Sequence, residues 1–134
     1  HGTKELSKYY KMYSIENDKK WIGKFDSNYI YAPIKYYNFF NKPRFLGRQK
    51  GWYNPEIIKE KIPNNYDLIL VDGPNSRRYG RAGFYHYLNL FNLNVPIIFD
   101  DIQRRKERLL IKKISKKIDK KYKILSDGET GVIL

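Results

Sequence analysis

The chain has no cysteine among its 134 residues. That excludes a disulfide framework and every form of thiolate chemistry, and it fits a reducing, cytoplasmic setting. Long apolar runs are missing too. Asn89, Asn92 and Asn94 interrupt the longest one, which leaves nothing near the roughly 20 apolar residues of a membrane-spanning helix. Acids are scarce: 14 Asp and Glu stand against 27 Lys and Arg, for a net charge of +13. Such an imbalance suits a polyanionic partner such as RNA, or a phosphorylated substrate. It also has a plainer source. Lys outnumbers Arg by 19 to 8, alongside abundant Asn, Ile and Tyr, the mixture an AT-rich coding sequence gives without any selection for polyanion binding. What is present is enough for one folded domain, residues 1–134, because 41% of the residues are hydrophobic and the length permits a real core.

Two segments carry most of the signal. Tyr66 to Pro74 (YDLILVDGP) and Val95 to Asp101 (VPIIFDD) are brief apolar runs ending in carboxylates. Runs of this kind read as strands buried on both faces of a parallel sheet. Arg81 to Leu93 lies between them, with Phe84, Leu88 and Phe91 at helical spacing, so a βαβ unit is expected with its acids at the carboxyl edge, where open α/β sheets bind ligands. Upstream, the pattern predicts a short helix over 3–10, a strand over 11–16, a helix over 17–25 capped by Asn17 or Asp18, and a third strand over 28–34 that Pro33 limits. Residues 38–53 read as a long Gly-, Pro-, Arg- and aromatic-rich loop. Asn54-Pro55 marks a helix start. Downstream, Asp100 or Asp101 is expected to cap a helix running to about Lys121, with Leu110, Ile111, Ile114 and Ile118 inward. The lysines of that helix fall mostly on the other face, whose plainest reading is a solvated surface. Residues 122–126 and 131–134 form two strands joined by Asp127-Gly128-Glu129-Thr130, a hairpin signal. The expected fold class is α/β: a Rossmann-like, mostly parallel sheet closed by a C-terminal antiparallel hairpin.

In this order and spacing, Tyr-Ser-Ile-Glu, Val-Asp-Gly-Pro, Arg-Tyr-Gly-Arg and Phe-Asp-Asp-Ile-Gln-Arg-Arg-Lys-Glu-Arg resemble class I S-adenosylmethionine-dependent methyltransferases, and more narrowly an O-methyltransferase-like branch. The resemblance extends over nearly the whole chain. It implies methyl transfer from S-adenosylmethionine to a hydroxyl of a small or sugar-like acceptor. His1-Gly2-Thr3 looks like the end of that family's glycine-rich turn. The family's first strand, central between the strands at 11–16 and 67–72, has no counterpart here, so an N-terminal segment ending in an acid and Gly-x-Gly is expected upstream of His1.

The resemblance implies cofactor contacts at Gly2, Thr3, Glu16, Asn17 and Asp72, with Glu16 on the ribose hydroxyls. An acid at a strand end can accept two hydrogen bonds from a diol. Asp72 and Asp100 are the candidate catalytic acids. With Asp101 they have the hard-oxygen chemistry of a Mg²⁺ site, although turn anchoring and helix capping would also account for them. Arg77, Arg78 and Arg81 follow one of these strands, while Arg104, Arg105 and Arg108 follow the other. They suit an anionic substrate, or equally an internal pairing with Asp72, Asp100 or Asp101. His86 reads as a packing residue, and Tyr36, Tyr37, Phe39 and Phe40 read as buried aromatics before stacking platforms. The alternative function is a non-catalytic basic module for RNA or another polyanion. Self-association is expected if a central strand is missing, because unpaired strand edges associate.

Overall fold

The computed structural model describes residues 2–37, 51–74 and 79–134. The chain is mixed α/β, with small sheets of parallel and antiparallel strands. After α1 (Gly2–Leu6), β1 (Tyr13–Glu16) pairs in parallel with β2 (Asn28–Tyr31). The helix expected between them does not form. Only one 3₁₀ turn, Lys19–Trp21, is present, capped by Asp18 through the amide of Lys20. Trp21 and Ile22 remain exposed, so no buried apolar face offsets the entropic cost of a longer helix, and Gly23 turns the chain at a φ of +76°.

The third expected strand is split in two. Ala32-Pro33 separates β2 from β3 (Ile34–Tyr36), which pairs antiparallel with β4 (Gly51–Tyr53). β4 lies inside what the composition marks as loop. Its three residues are all buried, and strand pairing there wins over the Gly-rich local pattern. The rest of that stretch, 38–50, with Phe39 and Phe40, lies outside the described residues, as do His1, Arg77 and Arg78. α2 (Pro55–Lys61) starts as its sequence requires: Asn54 accepts from the amide of Glu56, and Pro55 occupies the first turn.

The βαβ unit is present. β5 (Ile69–Val71) pairs in parallel with β6 (Ile97–Phe99) across α3 (Ala82–His86) and a 3₁₀ turn at Leu88–Leu90. α4 (Arg105–Lys117) ends before Lys121, with neither Asp100 nor Asp101 as its cap. The N-cap is Arg104, which makes no side-chain cap bond. β7 (Tyr122–Ile124) and β8 (Gly131–Ile133) form the expected hairpin, and β8 joins β6 to complete a sheet ordered β5-β6-β8-β7. Among the described residues, β1 pairs only with β2, and β5 only with β6.

Ile58, Ile97, Phe99, Ile102, Leu110, Ile111, Ile114 and Ile133 are fully buried, each contributing about 1.5–3 kcal/mol by burial. They belong to one core, in which α4 packs against β7 and β8 of the sheet that carries Asp72, Asp100 and Asp101, and α2 packs against β2 and the Leu88–Leu90 turn. No described helix is long and apolar enough to cross a membrane.

Candidate functional site

Register places the acids. Val71 and Phe99 are paired at the ends of β5 and β6, so the residues that follow, Asp72 and Asp100-Asp101, emerge side by side. One carboxylate oxygen from each of the three lies within 4.8 Å of the others. Three such charges repel, and the compensation comes from an arginine. Arg81, just ahead of α3, is only 3% exposed. Its Nη2 is 2.7 Å from Asp72 Oδ1 and 2.7 Å from Asp101 Oδ2, and its Nε donates to the Asp72 carbonyl at 2.9 Å. Nη1 donates to the Asp100 carbonyl. One guanidinium thus ties together the ends of β5 and β6 and the start of α3, the planar fork geometry that lysine cannot supply. Arg104 adds an exposed pair, Nη1 to Asp101 Oδ2 at 2.9 Å. The internal pairing admitted by the sequence is therefore formed at Arg81 and Arg104. A Mg²⁺ between Asp72 and Asp101 would have to displace a guanidinium that already supplies the charge.

The remaining candidates are less crowded. Asp100 turns its carboxylate back to the amide of Asp101 at 2.8 Å, which steadies Asp101 at a φ of 60°, a conformation that short polar side chains tolerate. Glu16, at the end of β1, is half-buried, and its carboxylate makes no side-chain hydrogen bond among the described residues. Desolvation raises its pKa, and the negative charges of Asp18 and Asp72 add to the shift. Asn17 follows it, half-buried, and Thr3 lies in the first turn of α1. Arg105 and Arg108 are exposed.

The sequence assigns no role to two residues beside the cluster. Tyr53 is buried in β4, with its hydroxyl against Gly73, where an added Cβ would overlap it. Burial pushes its phenol up, and the charges of Glu16 and Asp72 push it further, so Tyr53 sits within electrostatic reach of both strand ends. Glu107 is 2% exposed. Desolvation raises its pKa against the opposing attraction of Arg81 and Arg104. A signal for Glu107 exists: it precedes Leu110, Ile111 and Ile114 by three, four and seven residues, the register of the buried face. His86 lies half-buried against Tyr37 and Tyr87, as a packing residue should.

Asp72 is also raised, by desolvation first, although Arg81 opposes the shift. A carboxyl raised on folding binds its proton more tightly in the native state, so its contribution to stability is largest at low pH. That contribution is lost as pH rises through the folded pKa. Glu107→Gln removes one such group. Urea unfolding from pH 4 to pH 7, on the order of the range over which carboxylates titrate, should show wild type losing stability relative to this variant as pH rises. A constant difference would mean Glu107 is not perturbed.

A shallow hollow among the described residues lies elsewhere. Ser7, Tyr9, Tyr10, Met12, Asp26 and Asn28 line a hollow at the starts of β1 and β2, the end opposite Glu16. Compared with known proteins, the chain matches no family model, no curated protein and no solved structure.

Proposed function

We propose that this chain is an S-adenosylmethionine-dependent methyltransferase-like domain of Rossmann-like design, acting on a hydroxyl of a small or sugar-like acceptor. The observation that carries the reading is the gathering of acids at the carboxyl ends of parallel strands: Glu16 after β1–β2, and Asp72 with Asp100 and Asp101 after β5–β6. Strand order supports it. The open edges of β1 and β5 are the two positions between which the resembling family carries its first strand, and β8 and β7 follow β6 as that family's closing hairpin does.

Glu16 fits the cofactor. It is a half-buried acid whose acceptor capacity is unspent among the described residues, the chemistry a ribose diol requires. Bound S-adenosylmethionine would supply the methyl group. The chain's own residues then position and deprotonate. Arg81 pins one oxygen of Asp72, so the carboxylate keeps a fixed direction, while its side chain stays 59% exposed toward an acceptor. The raised pKa of Asp72 makes it a better proton acceptor than an ordinary aspartate. Asp100, which holds the amide of Asp101, keeps the adjoining strand end in place.

Calorimetric titration with S-adenosylhomocysteine tests this. Micromolar binding is expected, about −8 kcal/mol. Glu16→Ala should weaken it by about 1.5–3 kcal/mol, the size of a hydrogen bond to a charged group. No binding would overturn the reading. Equal affinity in both proteins would remove Glu16 from the site.

A further inference from the structure

The densest charge on the molecule is not at the acid cluster. Eleven of the 27 cations but only two of the 14 acids lie between Arg104 and Lys123. One of the two is Glu107, buried beneath Arg81 and Arg104. The other, Asp119, comes after α4 has ended. Along its whole 13-residue length, α4 therefore offers solvent no negative charge. Arg105, Leu109, Lys112 and Lys116 recur at i, i+4, i+7 and i+11 and form one exposed stripe, about 16 Å long at the helical rise. Arg108 flanks it on one side, and Lys106 and Lys117 on the other.

A helix face built only for solubility normally mixes signs, placing acids four residues before lysines. This one does the reverse. Arg108–Lys112, Lys112–Lys116 and Arg104–Arg108 are like-charged at i, i+4, and each such pair opposes the helix. Arg105, Lys106, Lys112 and Lys116 take part in none of the salt bridges among the described residues. Asp101 compensates Arg104, but none of the ion pairs among the described residues offsets the repulsion along Arg105, Lys112 and Lys116, which an external polyanion would relieve.

We infer that the outer face of α4 binds the phosphate backbone of a nucleic-acid duplex without reading its sequence. Lysine dominates the surface, and it contacts phosphate as a point charge rather than as a base-reading fork. No aromatic residue occurs from Arg104 to Lys121, so the face lacks the stacking platforms that hold single strands. A membrane surface fits less well. The apolar face of α4, Leu110, Ile111 and Ile114, is already buried in the core, which leaves Leu109 alone to enter a bilayer. The inference is independent of methyl transfer, because it uses none of the residues at the strand ends.

Fluorescence anisotropy with a short labelled DNA duplex across a salt series tests it. The logarithm of the affinity should fall linearly with the logarithm of salt, and the double variant K112Q/K116Q should reduce the slope by about two. The same variant should weaken binding roughly tenfold at low salt. The charge-conserving K112R/K116R should bind like wild type, and far-UV circular dichroism of K112Q/K116Q should match wild type, which separates lost phosphate contacts from lost folding of α4. K59Q/K61Q, on the exposed face of α2, should change affinity less than about twofold, since specific phosphate contacts carry the salt slope. The inference is overturned by no duplex binding at the lowest salt, by an equal loss in K59Q/K61Q, by tighter binding of a single strand, or by preference for phosphatidylserine vesicles over the duplex.

Discussion

Arg81→Leu should destabilise the protein by about 3–5 kcal/mol, the cost of removing one partner from a buried ion pair. Thermal midpoints should fall by roughly 10–20 °C for a domain of this size. The guanidinium is 3% exposed and meets two carboxylates and two backbone carbonyls. A leucine of similar volume would leave Asp72 and Asp101 facing each other, with both carbonyls unpaired. Arg81→Lys should recover little, because one ammonium cannot reach four acceptors held in a fork. Asp72→Asn should cost much less, since its side chain is 59% exposed and solvent screens the pair. Differential scanning calorimetry of the three variants checks the order. A leucine variant as stable as wild type would show that the clasp contributes no net stability.

Trp52→Ala should cost a comparable amount, about 3–5 kcal/mol. Trp52 is 3% exposed and stacks on Tyr87 with ring centroids 5.5 Å apart and planes 13° from parallel. Phe91 meets it edge-on at 6.3 Å. The ring also rests on the backbone of α3. A Cβ at Gly83 would overlap its Cγ, so Gly83→Ala alone should be destabilising by about 1–3 kcal/mol through overpacking. Together the two changes should cost less than their sum. Once the ring is gone, the added methyl has room, and contacting sites couple in this way. Urea denaturation of both single variants and the double variant measures that coupling. Strict additivity would mean that Gly83 and Trp52 do not share their packing.

Local chemistry announced several elements correctly. Asn54-Pro55 begins α2, the Asp-Gly-Glu-Thr turn joins β7 to β8, and the two apolar runs became β5 and β6 in parallel register. Other elements depend on partners distant in sequence. β4 exists because Gly51 to Tyr53 pair with Tyr36 to Ile34, a long-range match that no local pattern encodes. Residues 17–25 have helical spacing, but Trp21 and Ile22 find no surface to bury against. At the site, the acids were legible because each ends an apolar run. The motif pattern offers Arg77, Arg78, Arg81, Arg104, Arg105 and Arg108 as equivalent partners. Distance separates the described ones: Arg81 is buried at the centre, whereas Arg104 is exposed at the rim. Tyr53 entered from a strand whose pairing was itself not legible.

The central claim is that Glu16 and Asp72 border one cofactor site. Amide chemical-shift mapping on the isotope-labelled chain, titrated with S-adenosylhomocysteine, tests it most directly. Perturbations should centre on Glu16, Asn17, Asp72 and Gly73, with α4 beyond Arg108 unaffected. A spectrum that does not change, or shifts confined to the basic face of α4, would contradict it.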